Sequence, residues 1–158
     1  MNILFLCTGN SCRSVLAEAT FNALAGPEWR AMSAGSQPTG TVHPRSLALL
    51  RREGISTEGL YSKSWTDLPA IPDIVITVCG NAAGETCPAY LGQVLRAHWG
   101  VEDPAKAIGS DAEIEAKFEQ AYRILRTRIE AFLKLPLDRL RTDREQFTVE
   151  LDRIAQLS

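Results

Sequence analysis

The run NILFL at residues 2–6 passes without a break into CTGNSCRS, residues 7–14, and the helix-forming stretch SVLAEATFNALA follows to residue 25. An apolar run this short reads as a strand covered on both faces, and Gly26 with Pro27 supplies the stop for the helix after it. The same alternation continues. Trp29 to Ala34 reads as a second strand closed by Gly35, and Pro44 suits a first helical position. That helix carries Leu47 and Leu50 on one face and ends at Gly54. DIVITVC, Asp73 to Cys79, is the clearest strand because its centre is β-branched; Gln93 to His98 is a weaker one.

Ser110-Asp-Ala-Glu113 has the pattern of a capping box, opening a helix with Ile114, Phe118, Ala121, Tyr122, Leu125, Ile129 and Phe132 at helical spacing. After Pro136 the segment DRLRTDREQFTVELDRIAQLS places Phe147, Leu151 and Ile154 on one face of an amphipathic helix. Strands alternating with helices imply a parallel α/β sheet, with ligands at the C-terminal ends of its strands. The expected organisation is one domain over residues 1–134, with 135–158 as a helical extension packed on it.

Composition narrows the function classes. A length of 158 residues suits one domain, and 45% hydrophobic with 23% charged residues is ordinary for a globular protein. The net charge of -2 gives no basic field for nucleic acid or an anionic membrane. No apolar run approaches the roughly 18 residues of a transmembrane helix, and MNILFLC lacks the cationic start of a signal peptide. A cytoplasmic setting follows, where the four cysteines are expected reduced and a disulfide would be catalytic rather than structural.

CTGNSCRS has the chemistry of an oxyanion cradle. A tight loop between strand and helix aims several backbone N–H groups into one concavity, and the helix N-terminus favours negative charge there. Gly9 allows close approach of the backbone, Asn10 tolerates left-handed conformations, and the Arg13 fork binds two oxyanion oxygens. The same surroundings lower the pKa of Cys7 and make its thiolate a nucleophile, with Ser14 placed to donate a hydrogen bond to it. Against this stands the reading of Cys7 as a buried strand-end cysteine. Cys12 has no second-half partner in the motif and reads as structural.

Downstream, TVCGNAAGETCPAY holds Cys79 at the end of the best strand and Cys87 in a Gly-containing loop. Strand ends in a parallel sheet share one edge, so Cys79 is placed to face Cys7. The seven-residue gap is poor for zinc; two unrelated reduced cysteines remain the alternative. Asp103-Pro104 after HWG is either a general acid beside the oxyanion or an ordinary turn pair. His43 and His98 read as element-boundary residues, and Trp29, Trp65 and Trp99 as core or cleft wall.

Residues 7–14, Ala17-Glu18, Ser33-Ala34-Gly35, the flanks Val78, Gly80-Asn81 and Cys87-Pro88, and HWGVEDPA at 98–105 together resemble the low-molecular-weight protein tyrosine phosphatase superfamily. They resemble its thioredoxin-coupled arsenate reductases more closely, over the chain to about Phe132. The phosphatases usually carry an aliphatic residue at Ser11 and a proline at Val15, and an aromatic residue at Ala105. The resemblance implies a four-stranded parallel sheet flanked by helices in three layers.

It also implies a course of reaction. Cys7 attacks arsenate within the loop of Thr8, Gly9, Asn10, Ser11, Cys12 and Arg13, and Asp103 protonates the leaving oxygen. A Cys7–Cys79 disulfide forms as arsenite leaves, and Cys87 then moves it to Cys79–Cys87. Thioredoxin resets the enzyme, with glutaredoxin and glutathione as the other thiol source. Some thioredoxin-coupled reductases have a Cys79–Cys87 gap one residue shorter. A monomer is expected, with phosphate or sulfate fitting the same loop. Some relatives bind potassium nearby, and the matching residues are Asn10, Glu18, Ser33 and Asp67. A tyrosine phosphatase using Cys7, Arg13 and Asp103 alone, and a non-catalytic thiol redox sensor, are the competing functions.

Overall fold

A computed structural model describes residues 1–78 and 94–157. Strand β1, Asn2–Cys7, occupies an inner position of a four-stranded parallel sheet with β2, Arg30–Gly35, on one side and β3, Ile74–Thr77, on the other. Strand β4, Leu95–His98, pairs with β3 in parallel, giving the order β2-β1-β3-β4. Ile3 to Leu6 are completely buried, as a strand covered on both faces requires. The register sets Cys7 opposite Gly35, and Leu6 opposite Thr77, so β1 delivers Cys7 to the C-terminal edge of the sheet.

Five helices complete the described fold: α1, Arg13–Leu24; α2, Pro44–Arg52; α3, Asp111–Leu133; α4, Leu137–Leu140; and α5, Arg144–Ile154. A single 3-10 turn spans Pro104–Lys106. Helix α1 packs against β2 and α3, and α2 touches both helices. The capping box at Ser110 and Glu113 forms in both directions, as its spacing predicts. The core is joined by aromatic rings: Phe132 lies 5.3 Å from Trp29 and 5.8 Å from Phe21, and also meets Trp99 and Phe147. Trp29 and Trp99 are core residues, while Trp65 is half-buried.

Three details differ from the pattern-based reading. In α2 the buried stripe is Ser46, Leu49 and Leu50, with Leu47 only half-buried, because it is Ser46 whose Oγ donates to the Ser11 carbonyl in the loop before α1. β3 and β4 are shorter among the described residues than the apolar runs suggest, and Cys79 and Gln93 lie outside those residues. The extension is two helices, since Asp143 accepts a hydrogen bond from the Gln146 N–H and so starts α5 afresh. The face carrying Phe147, Leu151 and Ile154 is buried. Two clasps hold this segment: Trp99 Nε1 donates to the Leu151 carbonyl at 3.0 Å, and Arg128 Nε to the Leu157 carbonyl at 2.9 Å. Burial pulls the Arg128 guanidinium below its ordinary pKa, and carbonyls at Leu157 and Gly100 satisfy it there.

Candidate active site

Residues 8–12 bridge the end of β1 and the start of α1, and their shape follows from where their carbonyls go. The Thr8 carbonyl accepts from Gln37 N at 3.0 Å, that of Gly9 from Thr39 N at 3.0 Å, and that of Ser11 from His43 N at 3.1 Å. Ser62 Oγ donates a second bond to the Gly9 carbonyl at 3.3 Å. In a trans peptide the C=O of one residue and the N–H of the next point in opposite directions, and no described peptide bond is cis. With three carbonyls drawn outward, the N–H groups of Gly9, Asn10 and Cys12 turn to the inner side of the loop. That is the donor array of an anion-binding nest at a helix N-terminus.

Asn10 is the hinge of this turn. Its φ of 46° makes it the one described non-glycine residue in the left-handed region, and it is completely buried. Both ends of its side chain are occupied: Nδ2 donates to Ser14 Oγ at 2.9 Å and Oδ1 accepts from Lys63 N at 2.8 Å. Ser14, also fully buried, therefore accepts from Asn10 and keeps its own hydroxyl proton to donate. Gly35 is required for a different reason. A Cβ there would overlap the Thr8 carbonyl oxygen and stand 2.9 Å from that of Cys7, so β2 approaches the loop only because this residue has none.

Cys7 and Cys12 are both 4% exposed, yet their positions differ. Cys7 ends the strand at the mouth of the nest. Cys12 precedes α1, where it makes no side-chain cap, and burial above all pushes its thiol pKa up, with Ser46 and Arg13 pulling the other way. Its side chain belongs to the buried cluster beneath the loop.

Arg13 opens α1 and reaches across to the segment after β4. Its Nη1 donates to the Val101 carbonyl at 2.9 Å, and its Nη2 lies 3.4 Å from Asp103 Oδ2. The Arg13 Nε–H is buried with no partner among the described residues. An unmet buried donor costs ~1–3 kcal/mol, and an oxyanion oxygen would recover it. The other oxygen of Asp103 accepts from Ala105 N at 3.0 Å and caps the 3-10 turn. Asp103 is thus both a turn residue and a carboxylate facing the loop arginine.

The remaining candidates fall in three groups. His43 Nδ1 caps α2 by accepting from Arg45 N, and His98 Nδ1 pairs with Thr77 Oγ1 at 2.7 Å; His43 meets the loop through its backbone N–H. Cys79 and Cys87 lie outside the described residues. Among the potassium candidates, Ser33 Oγ donates to Glu18 Oε1 at 2.7 Å, but Asp67 is exposed and uses its N–H on the Ser64 carbonyl. The position facing Glu18 and Asn10 is held by Lys63, whose ammonium is 3.7 Å from Glu18 Oε1. Beside that fixed charge the residues present do not fit a potassium ion. Lys63, the Val101 carbonyl and Ser62 are the site residues that sequence reasoning missed. Lys63 and Ser62 belong to no motif, and Val101, although inside HWGVEDPA, acts through its backbone carbonyl, which no side-chain pattern marks.

A family model described as low molecular weight phosphotyrosine protein phosphatase matches residues 2–146. The chain belongs to this family. Among curated relatives, an arsenate reductase of Halalkalibacterium halodurans is 40% identical over 131 residues, covering 82% of this chain and 93% of its own. An arsenate reductase solved in the phosphate binding state superposes with a TM-score of 0.68 at 28% identity, over 84% of this chain and 95% of that one. A thioredoxin-dependent arsenate reductase of Corynebacterium glutamicum is similar over 82% of this chain and 61% of its own, with a TM-score of 0.58 and 29% identity.

Proposed function

We propose that this family member is an arsenate reductase. The observation that carries the reading is the nest itself: three loop carbonyls drawn outward, and a buried Arg13 Nε–H with no partner among the described residues, at the end of the loop that starts at Cys7. An arsenate dianion fits that donor set in shape and charge, as phosphate does, and the 40% identical curated relative is an arsenate reductase.

The chemistry runs through sulfur. The Cys7 thiolate attacks arsenic, an oxygen leaves as water with a proton from Asp103, and a thiol–arsenate bond results. Ser14 steadies the thiolate with its hydroxyl, and Arg13 holds two oxygens of the oxyanion. The Cys79 thiolate then attacks the Cys7 sulfur. The S–As electron pair passes to arsenic, which leaves as arsenite, and a Cys7–Cys79 disulfide remains. Cys87 attacks Cys79, frees Cys7 and carries the disulfide to Cys79–Cys87, which an external dithiol reduces. Thioredoxin is the proposed reductant, on the likeness to the thioredoxin-dependent relative, of which this chain spans 61%. The setting proposed is cytoplasmic arsenic detoxification; no helix among the described residues is long and apolar enough to cross a membrane.

The test is arsenate-dependent NADPH oxidation coupled through thioredoxin and its reductase, for wild type and for Cys7→Ser, Cys79→Ser and Cys87→Ser. Steady turnover by wild type and none by the three variants is the expected result. A wild type active only with glutaredoxin and glutathione would change the reductant and keep the relay. The family description favours one rival, a phosphatase. Silence in both assays, with aryl phosphate hydrolysed equally by wild type and Cys79→Ser, would establish that rival.

A further inference from the structure

Lys63 is the one lysine among the described residues that is buried. A buried ammonium is destabilising unless it is paired and hydrogen-bonded, so its surroundings define what it is for. Its Nζ lies 3.7 Å from Glu18 Oε1, 3.4 Å from the Tyr61 carbonyl and 4.2 Å from the centre of the Tyr61 ring. A carboxylate, a carbonyl and an aromatic face are the ligands a compact monovalent cation takes. Glu18 in turn accepts from Ser33 on β2, so the charge pair ties α1 to the strand beside the loop.

The backbone of Lys63 grips the loop as well. Its N–H donates to Asn10 Oδ1, and its carbonyl accepts from Gly35 N at 2.9 Å. The first contact holds the residue whose left-handed φ makes the nest, and the second holds the glycine packed against the loop carbonyls. One residue therefore neutralises the carboxylate behind the loop and fixes the loop's turn. We propose that Lys63 is a tethered cation that positions the oxyanion loop in place of a bound potassium ion, making oxyanion binding independent of monovalent cations. This rests on the proposed function only in taking residues 7–14 as the oxyanion site, and inorganic phosphate tests it without any redox step.

Phosphate affinity would be measured by titration calorimetry at matched ionic strength in potassium, sodium and choline salts, with thermal unfolding followed alongside. Wild type is expected to bind equally in all three. Lys63→Ala is expected to bind about ten- to a hundredfold more weakly in choline, the range seen when the support behind a ligand residue is removed. Potassium or ammonium should restore part of that loss and raise the unfolding midpoint of this variant alone. A merely structural lysine would show no such cation rescue. Wild-type affinity that rises with potassium, or a Lys63→Ala loss that no cation relieves, would overturn the proposal.

Should Lys63→Ala not fold, the Glu18→Gln/Lys63→Met double variant decides, since it removes both charges and keeps the aliphatic stem. Phosphate binding by the double variant stronger than by Lys63→Met supports the pairing, and equal or weaker binding overturns it. Arsenate turnover that fails while phosphate binding behaves as expected would count against the reductase reading and leave this one standing.

Discussion

From Cys7 to Ser14 the chain is held largely by hydrogen bonds: carbonyls at Thr8, Gly9 and Ser11 are each taken by an N–H from residues 37–43, and the buried Asn10 side chain bonds Ser14 and Lys63. Residues 137–157 are held the other way, by Leu140, Phe147, Leu151 and Ile154 packed into the core, with side-chain clasps to the backbone from Trp99 and Arg128. The two regions meet in three consecutive residues. Trp99 and Gly100 hold the extension, through Leu151 and through Arg128, and the next carbonyl, Val101, holds Arg13. A backbone-held loop presents N–H groups at fixed positions but tolerates little change in shape, whereas an apolar face tolerates substitution that preserves volume. The loop is built the first way and the extension is attached the second.

Substitution separates the two modes of attachment. The largest effect is expected from Arg13→Lys, which keeps the charge but loses the fork that meets Val101, Asp103 and the oxyanion. Arsenate turnover should fall about 10²–10³-fold, the cost of losing one oxyanion donor, with little change in unfolding temperature. Gly35→Ala comes next. The added methyl group meets the Thr8 and Cys7 carbonyls, so about 1–3 kcal/mol of stability should be lost together with phosphate binding, read by denaturant titration and calorimetry.

Asn10→Gly and Asn10→Ala divide that residue's role. Glycine keeps the left-handed turn and loses the bonds to Ser14 and Lys63, while alanine loses both, so alanine should be the less stable by about 1 kcal/mol. Equal stability would mean that the bonds, not the turn, hold the loop. In the extension, Trp99→Phe removes the N–H bonded to Leu151. It should cost about 1 kcal/mol in unfolding while phosphate affinity stays unchanged. Altered affinity there would show that the extension and the loop are energetically one unit.

The smallest effect concerns pH. The buried Cys12 thiol has its pKa raised above the ordinary 9.0, so the folded state favours the neutral form. Its contribution is fully present below the unfolded value and is lost as pH rises through the folded one. Cys12→Ala should flatten the alkaline fall in stability without touching turnover at neutral pH.

Much of this architecture is written locally. NILFL followed by a helix-forming stretch required a buried strand and a crossover. The capping box at Ser110 started α3 where its spacing required, and Phe147, Leu151 and Ile154 declared the buried face of α5. Cys7 and Arg13 were legible for the same reason, since strand, loop and helix are contiguous and their spacing sets the geometry. Asn10 in the left-handed region follows from side-chain chemistry. Where α5 begins was less legible, because Asp143 competes as a helix cap within one amphipathic pattern.

What tertiary structure alone decided is how that loop is held and charged. The contact from Lys63 to Asn10 spans 53 residues, and that from Arg13 to Val101 spans 88. Their partners are backbone groups or a single lysine, none of which leaves a period or a motif in the chain. Four polar residues were plausible ligands for a cation from their identities, yet packing set a lysine ammonium beside Glu18 and left Asp67 at the surface. Periodicity and capping are properties of neighbours along the chain, so the sequence determines the elements and the place of Cys7 at the end of β1. Which distant amide or ammonium completes the site depends on how the sheet edge closes, and that is determined only when the whole core packs.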